Sequence, residues 1–357
     1  MKIWVYAICK NEEKFVDKWM DSMLEADGVL VLDTGSTDGT IQMLEKRGAV
    51  VHQQIFSPWR FDHARNRALE LIPEDVDICV STDLDEILLP GWRQAVEDEW
   101  TEATHRGNFT YNFSLDEFDN PIHQYTREKI HLRHGYRWFA PVHERLEYLG
   151  EGKEVWTFLK GVTLNHYPDV TKSRGQYLPL LELTVEENPN DDRAAFWLGR
   201  EYSYYQRHDK TIEVLEKYLK LPSATWGEER GAANSLIANA YAAKGEIGRA
   251  KVYHYRAIAE NWNNREPYLE LVNFGYRYHE WAMVYAMATE ALKISQRTTS
   301  YLAQENCWGP TFFDTAALAA YHLGMYQEAH RLGRKALKKE PDNPRLIKNM
   351  GFYEEKV

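Results

Sequence analysis

Apolar and polar positions change their period twice along this chain. From residue 3 to about residue 80, short apolar runs alternate with amphipathic stretches. Ile3-Trp4-Val5-Tyr6-Ala7-Ile8-Cys9 is an apolar run of strand length, and Val16, Trp19, Met20 and Met23 then share one helical face. Val29 to Leu32 is a second strand, broken by Asp33-Thr34-Gly35-Ser36-Thr37-Asp38-Gly39, a loop of turn formers. Ile41 and Leu44 restart a helix that Gly48 can end, and Val50-Val51 is a third strand. His63 to Leu71 reads as a short helix, and Val76 to Val80 as a fourth strand running into Asp83. This alternation predicts an α/β domain: a mixed, mainly parallel sheet with helices on both faces. Ligands of such sheets sit beyond the carboxyl ends of the strands, and the polar groups Lys10-Asn11, Asp33 and Asp83-Leu84-Asp85 each follow a strand.

Between about Asn108 and His166 the runs are shorter, β-branched and aromatic, which predicts a partly antiparallel extension of the sheet. From about Gln176 the period becomes that of helical hairpins. Aligned on Thr211, Ala250, Val284 and Ala329, the copies are spaced by 39, 34 and 45 residues, near the 34-residue period of tetratricopeptide (TPR) repeats. Insertions are expected in the loops around Pro222 and Thr298. The expected domains are therefore 1–172, α/β, and 173–357, an all-α array of TPR-like repeats. The array either braces the first domain or binds an acceptor or partner, with homo-oligomer formation a further use of it.

Composition adjusts this picture at three points. The 357 residues are enough for two cores. A net charge of -11 with no long basic run argues against a broad phosphate-backbone footprint. Cys9, Cys79 and Cys307 show no ligand spacing, which suits buried structural thiols in a reducing, cytoplasmic setting. No stretch approaches the roughly 20 apolar residues of a membrane span.

The chemistry gathers in the first half. Two carboxylates one residue apart at a strand's end, Asp83 and Asp85 with Glu86 beside them, can offer Mg²⁺ or Mn²⁺ hard oxygen ligands while phosphate supplies the others. Asp33 can accept a pyrimidine N–H, or it can cap the helix after Gly39. Arg65 can reach a phosphate or base edge with its planar fork, or form a surface ion pair.

Taken in order, Cys9-Lys10-Asn11-Glu12-Glu13, Leu32-Asp33-Thr34-Gly35-Ser36-Thr37-Asp38-Gly39-Thr40, Ala64-Arg65-Asn66 and Asp83-Leu84-Asp85-Glu86 resemble the family 2 glycosyltransferases of the GT-A fold. The resemblance spans residues 1 to about 170. With the repeats attached, the chain is similar to the branch that includes the sublancin-type peptide S-glycosyltransferases. It implies an inverting transfer of a hexose from a UDP-sugar, with a divalent cation, Mn²⁺ or Mg²⁺. It implies that Lys10, Asn11, Glu12, Asp33 and Ser36 meet the nucleoside, Arg65 the base or diphosphate, Asp83 the ribose or sugar, and Asp85 the metal. Many members carry a second acid where this chain has Thr34, which leaves Asp33 alone there.

An inverting transfer also needs a general base. In Gly135-Tyr136-Arg137-Trp138-Phe139-Ala140-Pro141-Val142-His143-Glu144, Glu144 is the first candidate and His143 the second, with Trp138 placed to pack on a sugar. His166, late in the domain, is the candidate second metal ligand, and Lys172 and Arg174 can close over the diphosphate. A peptide or protein side chain is the favoured acceptor; a hydroxymethylated base in phage-type DNA and a glycan compete. Two other classes fit less well. A non-catalytic TPR scaffold with a vestigial α/β half is disfavoured by the presence of Asp33, Arg65, Asp83 and Asp85 together. A nucleotidyltransferase is disfavoured because Cys9-Lys10-Asn11-Glu12 is not glycine-rich.

Overall fold

In the computed structural model, which describes residues 1–173 and 175–357, the first apolar run forms β1 (Ile3–Cys9) at the centre of the parallel part of an eight-stranded sheet. The chain continues through α1 (Glu13–Ser22), β2 (Gly28–Asp33), α2 (Thr40–Lys46), β3 (Val50–Gln53), α3 (Phe61–Glu70) and β4 (Ile78–Ser81). After these come β5 (Glu86–Leu88), α4 (Trp92–Glu99), β6 (Arg106–Leu115), β7 (Pro121–Leu132), β8 (Tyr136–Phe139), β9 (Arg145–Tyr148), β10 (Trp156–His166) and α5 (Tyr177–Glu187). Strand order is β3-β2-β1-β4-β7-β6-β10-β5, and β8 and β9 form a separate hairpin.

β1 pairs in parallel with β2 on one side and β4 on the other, and β2 pairs in parallel with β3. The remainder is mixed: β7 is antiparallel to β4 and β6, β10 is parallel to β6, and β5 is antiparallel to β10. The side-chain alternation of β1 explains the two-sided burial. Ile3, Val5, Ala7 and Cys9 enter a core with Val16 and Trp19 of α1, Leu44 of α2 and Trp92 of α4. Tyr6 and Ile8 enter the opposite core with Ala64 and Ala68 of α3, Trp138 of β8 and Leu146 of β9.

Two local boundaries differ from the sequence reading. β4 starts at Ile78, because a turn from Pro73 keeps Val76 off the ladder while the N–H groups of Asp77 and Ile78 both donate to the Lys2 carbonyl. α3 starts at Phe61, with Asp62 in its first turn, where a carboxylate suits the helix dipole. The chain divides into Met1–Thr184 and Val185–Val357, so the boundary falls inside α5 and not at residue 172.

The second unit is built from helical hairpins and a closing helix: α6 (Asp192–Tyr204) with α7 (His208–Tyr218), α8 (Gly227–Ala243) with α9 (Ile247–Glu260), α10 (Glu266–Arg277) with α11 (Trp281–Ala291), α12 (Thr311–His322) with α13 (Tyr326–Lys339), then α14 (Pro344–Glu354). Thr211, Ala250, Val284 and Ala329, the residues that align the copies, are all fully buried. Each hairpin turns through a left-handed residue at the same place: Gln206, Gly245, His279 and Gly324, with φ between 56° and 79°. That conformation closes a helix C-terminus at little cost for glycine and more for the other two. The loops at Pro222 and Thr298 are present, and the longer is held by Glu228, which accepts from Thr298 and Ser300, and by Glu229, which accepts from Tyr301. No described helix is long and apolar enough to cross a membrane. All three cysteines are free and buried.

Each unit buries a neutral histidine. His131, in the sheet, and His254, in α9, are fully buried; burial pushes His131 down to about 3 and His254 down to about 4. Because these values lie below the unfolded one near 6.5, the unfolded chain takes up the proton first. Stability is therefore intact above about pH 6.5 and falls as pH drops toward the folded values. Urea unfolding between pH 7 and pH 5 should show a decline approaching about 1.4 kcal/mol per pH unit per histidine. His254→Leu should remove the share belonging to the helical unit.

Candidate functional site

The sheet has a topological switch point between β1 and β4. From β1 the chain adds β2 and β3 on one side, then crosses to add β4 on the other. A crevice forms at such a point, outside the carboxyl ends of the two strands, because the following loops diverge. Here those loops are Lys10-Asn11-Glu12 after β1 and Thr82-Asp83-Leu84-Asp85 after β4, and β2 delivers Asp33 to the same edge, paired with Cys9.

The β1 and β2 loops are locked together. Asn11, in the left-handed region at φ 56°, donates its N–H to Ser36 Oγ at 2.8 Å and accepts from Thr37 N–H at 2.7 Å. Asp33 is almost wholly buried; its Oδ1 accepts from the N–H groups of Gly35 and Ser36, and its Oδ2 lies 3.5 Å from the Cys9 thiol. Asp33, Asn11 and Ser36 thus shape the loop with the very atoms expected to meet a nucleoside. Lys10, just after β1, is exposed.

Register brings the next pair together. In the antiparallel β10–β5 ladder His166 lies opposite Glu86, and Tyr167 N–H donates to the Asp85 carbonyl at 2.8 Å. His166 Nε2 sits 3.5 Å from Asp85 Oδ2, while its Nδ1 lies 3.1 Å from the Phe113 carbonyl. A carbonyl only accepts, so Nδ1 carries a proton and Nε2 faces Asp85. Burial opposes the charged imidazole, but the Asp85 carboxylate outweighs it and raises the His166 pKa. Among the described residues no group of three or more His, Cys, Asp or Glu gathers as a metal site.

Arg65 differs most from its expected role. It is buried between two carboxylates: its Nη2 donates to Asp83 Oδ1 at 2.8 Å and its Nε to Glu144 Oε1. The guanidinium therefore bridges the β4 loop to the segment after β8, and only Nη1, also buried, has no hydrogen-bond partner among the described residues. Burial opposes ionisation of Asp83, but Arg65 and then Lys129 outweigh it and hold the Asp83 carboxyl below the usual range. Trp138 is also corrected. It is 3% exposed and lies beneath Arg65, 5.2 Å from ring centre to guanidinium, so it carries the arginine and offers no face to a sugar. Glu144 is half-buried, and His143, at φ 51°, stacks on Tyr177 at 5.8 Å.

Glu12 lies near this acidic edge. Lys172 Nζ donates to its Oε1, and its Oε2 is buried without a partner among the described residues. Burial pushes the Glu12 carboxyl up, Asp85 and Asp83 add to that, and Lys172 opposes it. Arg174 lies outside the described residues.

Lys129 escaped the sequence reading. Its Nζ sits 3.4 Å from Asp83 and 3.5 Å from Glu86. The β6–β7 register shifts between Gly107 and Phe109, whose partners are Ile130 and Arg127, so Lys129 falls at an irregularity where strand alternation does not give a side chain's direction. In the second unit, a cleft of about 200 Å³ is lined by Asn239, Glu270, Asn273, Phe274 and Arg277 of α8 and α10.

Neither a protein-family model nor a curated protein matches this chain. Solved structures do. A match to YrrB, a TPR protein described as having an unusual peptide-binding site, has 16% identity and TM-score 0.39, over 49% of this chain and 82% of that one. MamA matches with 21% identity and TM-score 0.38, over 49% and 96%. TTC0263, a thermophilic TPR protein of Thermus thermophilus, matches with 19% identity and TM-score 0.34, over 50% and 89%.

The bridge makes a ranked prediction. Arg65→Met takes the guanidinium from Glu144 and leaves Asp83 with Lys129 alone, and should cost about 3 kcal/mol in urea unfolding. Lys129→Met should cost less, because its contacts are longer and it serves one side of the cluster.

Proposed function

We propose that this chain is an inverting, metal-dependent glycosyltransferase that moves a hexose from a UDP-sugar to an acceptor nucleophile, with a peptide or protein side chain favoured. The observation that carries this reading is the pairing of Asp85 with His166 at the carboxyl edge of the switch point, the place where ligands of such sheets sit. The donor set fits a divalent cation. One carboxylate and one imidazole suit Mn²⁺ better than Mg²⁺, the diphosphate and water would complete the shell, and the Phe113 carbonyl turns His166 Nε2 toward Asp85. When bound, the cation neutralises charge that builds on the departing diphosphate.

The chain's own residues do the rest. The loop built by Asn11, Asp33 and Ser36, with Lys10 and Glu12 beside it, would receive the uridine. Asp83, held ionised by Arg65 and Lys129, would accept from ribose or sugar hydroxyls. Glu144 would take the acceptor proton. Arg65 occupies its Oε1, which leaves Oε2 as the basic oxygen and fixes the carboxylate plane. His143 is the second candidate base. A glycan or a hydroxymethylated DNA base is a competing acceptor.

A second reading, a partner-binding helical-repeat protein with a vestigial α/β unit, is favoured by the cleft on α8 and α10, where Asn239 and Glu270 pair at 3.1 Å. A panel of nucleotide-sugars with Mn²⁺ separates the two, read as UDP release without acceptor. The transferase releases UDP from one donor and the scaffold from none. Asp85→Ala should abolish release, and full activity in that variant would sink the metal assignment. Glu144→Gln should leave UDP binding intact and slow turnover about 10²- to 10⁴-fold; persistent turnover would move the base elsewhere.

A further inference from the structure

Beneath the Arg65 bridge lies a buried chain of hydrogen bonds for which the proposed chemistry has no role. Trp138 Nε1–H donates to Tyr6 Oη at 2.9 Å, and Tyr6 Oη lies 3.0 Å from His131 Nε2. His131 Nδ1 in turn lies 2.7 Å from the Leu132 carbonyl. The direction is forced. The carbonyl only accepts, so His131 donates from Nδ1 and accepts at Nε2. The phenol therefore donates to the imidazole while it accepts from the indole, whose N–H can only donate. Tyr6 and His131 are fully buried and Trp138 nearly so.

This chain joins the elements that carry the candidate site. Tyr6 lies on β1, His131 on β7 two residues after Lys129, and Trp138 on β8 ahead of Glu144. A fourth element is tied in by Asn66, the residue after Arg65. Its side-chain amide donates to the Trp138 carbonyl and accepts from the Trp138 N–H, both at 2.8 Å. Phe61 N–H, at the start of α3, donates to the Pro141 carbonyl at 3.0 Å. The backbone of Trp138 is thus clamped to α3, its indole is pinned to β1 and β7, and Arg65 lies over that indole.

We propose that Tyr6 and His131 are positioning residues: through the Trp138 indole they fix the Arg65 guanidinium, and with it the relative placement of the Asp83 and Glu144 carboxylates. The apolar surroundings would accept phenylalanine at position 6 on volume alone. What that change removes is the hydroxyl that the indole N–H and the imidazole Nε2 share, so both buried groups lose their partner in this chain. The indole then keeps its core packing but loses the hydrogen bond that fixes its tilt, and the surface on which the arginine rests is less firmly set.

As a test of catalysis, the proposal rests on the glycosyltransferase reading, so its primary measurement does not use the reaction. Arg65 Nε–H gives a side-chain ¹H–¹⁵N signal in the full-length protein, identified by its loss in Arg65→Lys. In Tyr6→Phe, and equally in Trp138→Phe, hydrogen exchange at Arg65 Nε–H should be at least about tenfold faster than in the parent protein. The Tyr6→Phe/Trp138→Phe double variant should be no worse than either single one, because both break the same link. Unchanged protection in the single variants, or losses that multiply in the double, would overturn the proposal. UDP release adds a second readout. Tyr6→Phe should lower kcat about tenfold with the donor KM within about twofold, since a misplaced base slows the reacting complex more than it weakens binding. A KM that rises in step with the loss of turnover would count against the proposal. UDP release by no protein, the parent included, would fault the transferase reading and leave the exchange result to decide this one.

Discussion

The candidate site depends on one constraint: β1 must pair in parallel with both β2 and β4. Parallel pairing aligns the carboxyl ends of three strands that are far apart in sequence. The switch in direction at β1 then opens a crevice at that edge. Four of the site's acids follow from this alignment. Asp33 stands at the end of β2, Glu12 after β1, and Asp83 and Asp85 after β4. Shifting β1 by one residue would exchange its two buried faces and drive Tyr6 into the core now filled by Ile3, Val5 and Ala7.

Gathering carboxylates at one edge is costly unless cations answer them. The fold brings cations to this edge from different directions. Arg65 comes from α3, Lys129 from β7, Lys172 from the segment after β10, and His166 from β10 itself. Arg65 is the most constrained of the four, because it is buried and serves both Asp83 and Glu144. That is why its support reaches so deep, through Trp138 and Tyr6 to His131. The same arrangement gives the acidic edge a graded character. Asp83 is held ionised, whereas the Glu12 carboxyl is pushed up by burial and by its acidic neighbours.

The helical unit follows a different logic. Its hairpins repeat a small or β-branched buried residue and a left-handed turn, which lets successive helices approach closely. Gly199 shows how tight this is: a Cβ there would lie 2.3 Å from Leu215. Where the repeat lengthens, polar groups on the insertion are satisfied by carboxylates of α8 and α10, so the longer loop is bonded to the array and not simply looped out.

The sequence by itself determined the alternation of strands and helices in the first unit, the helical hairpins of the second with their shared buried positions, and the carboxyl-end location of Asp33, Asp83 and Asp85. These are local signals: apolar period, turn formers and spacing, each written within a few residues. Only the tertiary structure decided which side chains meet. The β10–β5 register put His166 beside Asp85 across 81 positions of sequence. An irregular stretch of β7 aimed Lys129 at Asp83, and Arg65 became an internal bridge where an exposed fork was expected. Trp138 turned inward to carry it. None of these contacts leaves a periodic trace, because each depends on the register and packing of elements distant in the chain, and that is information no local pattern contains.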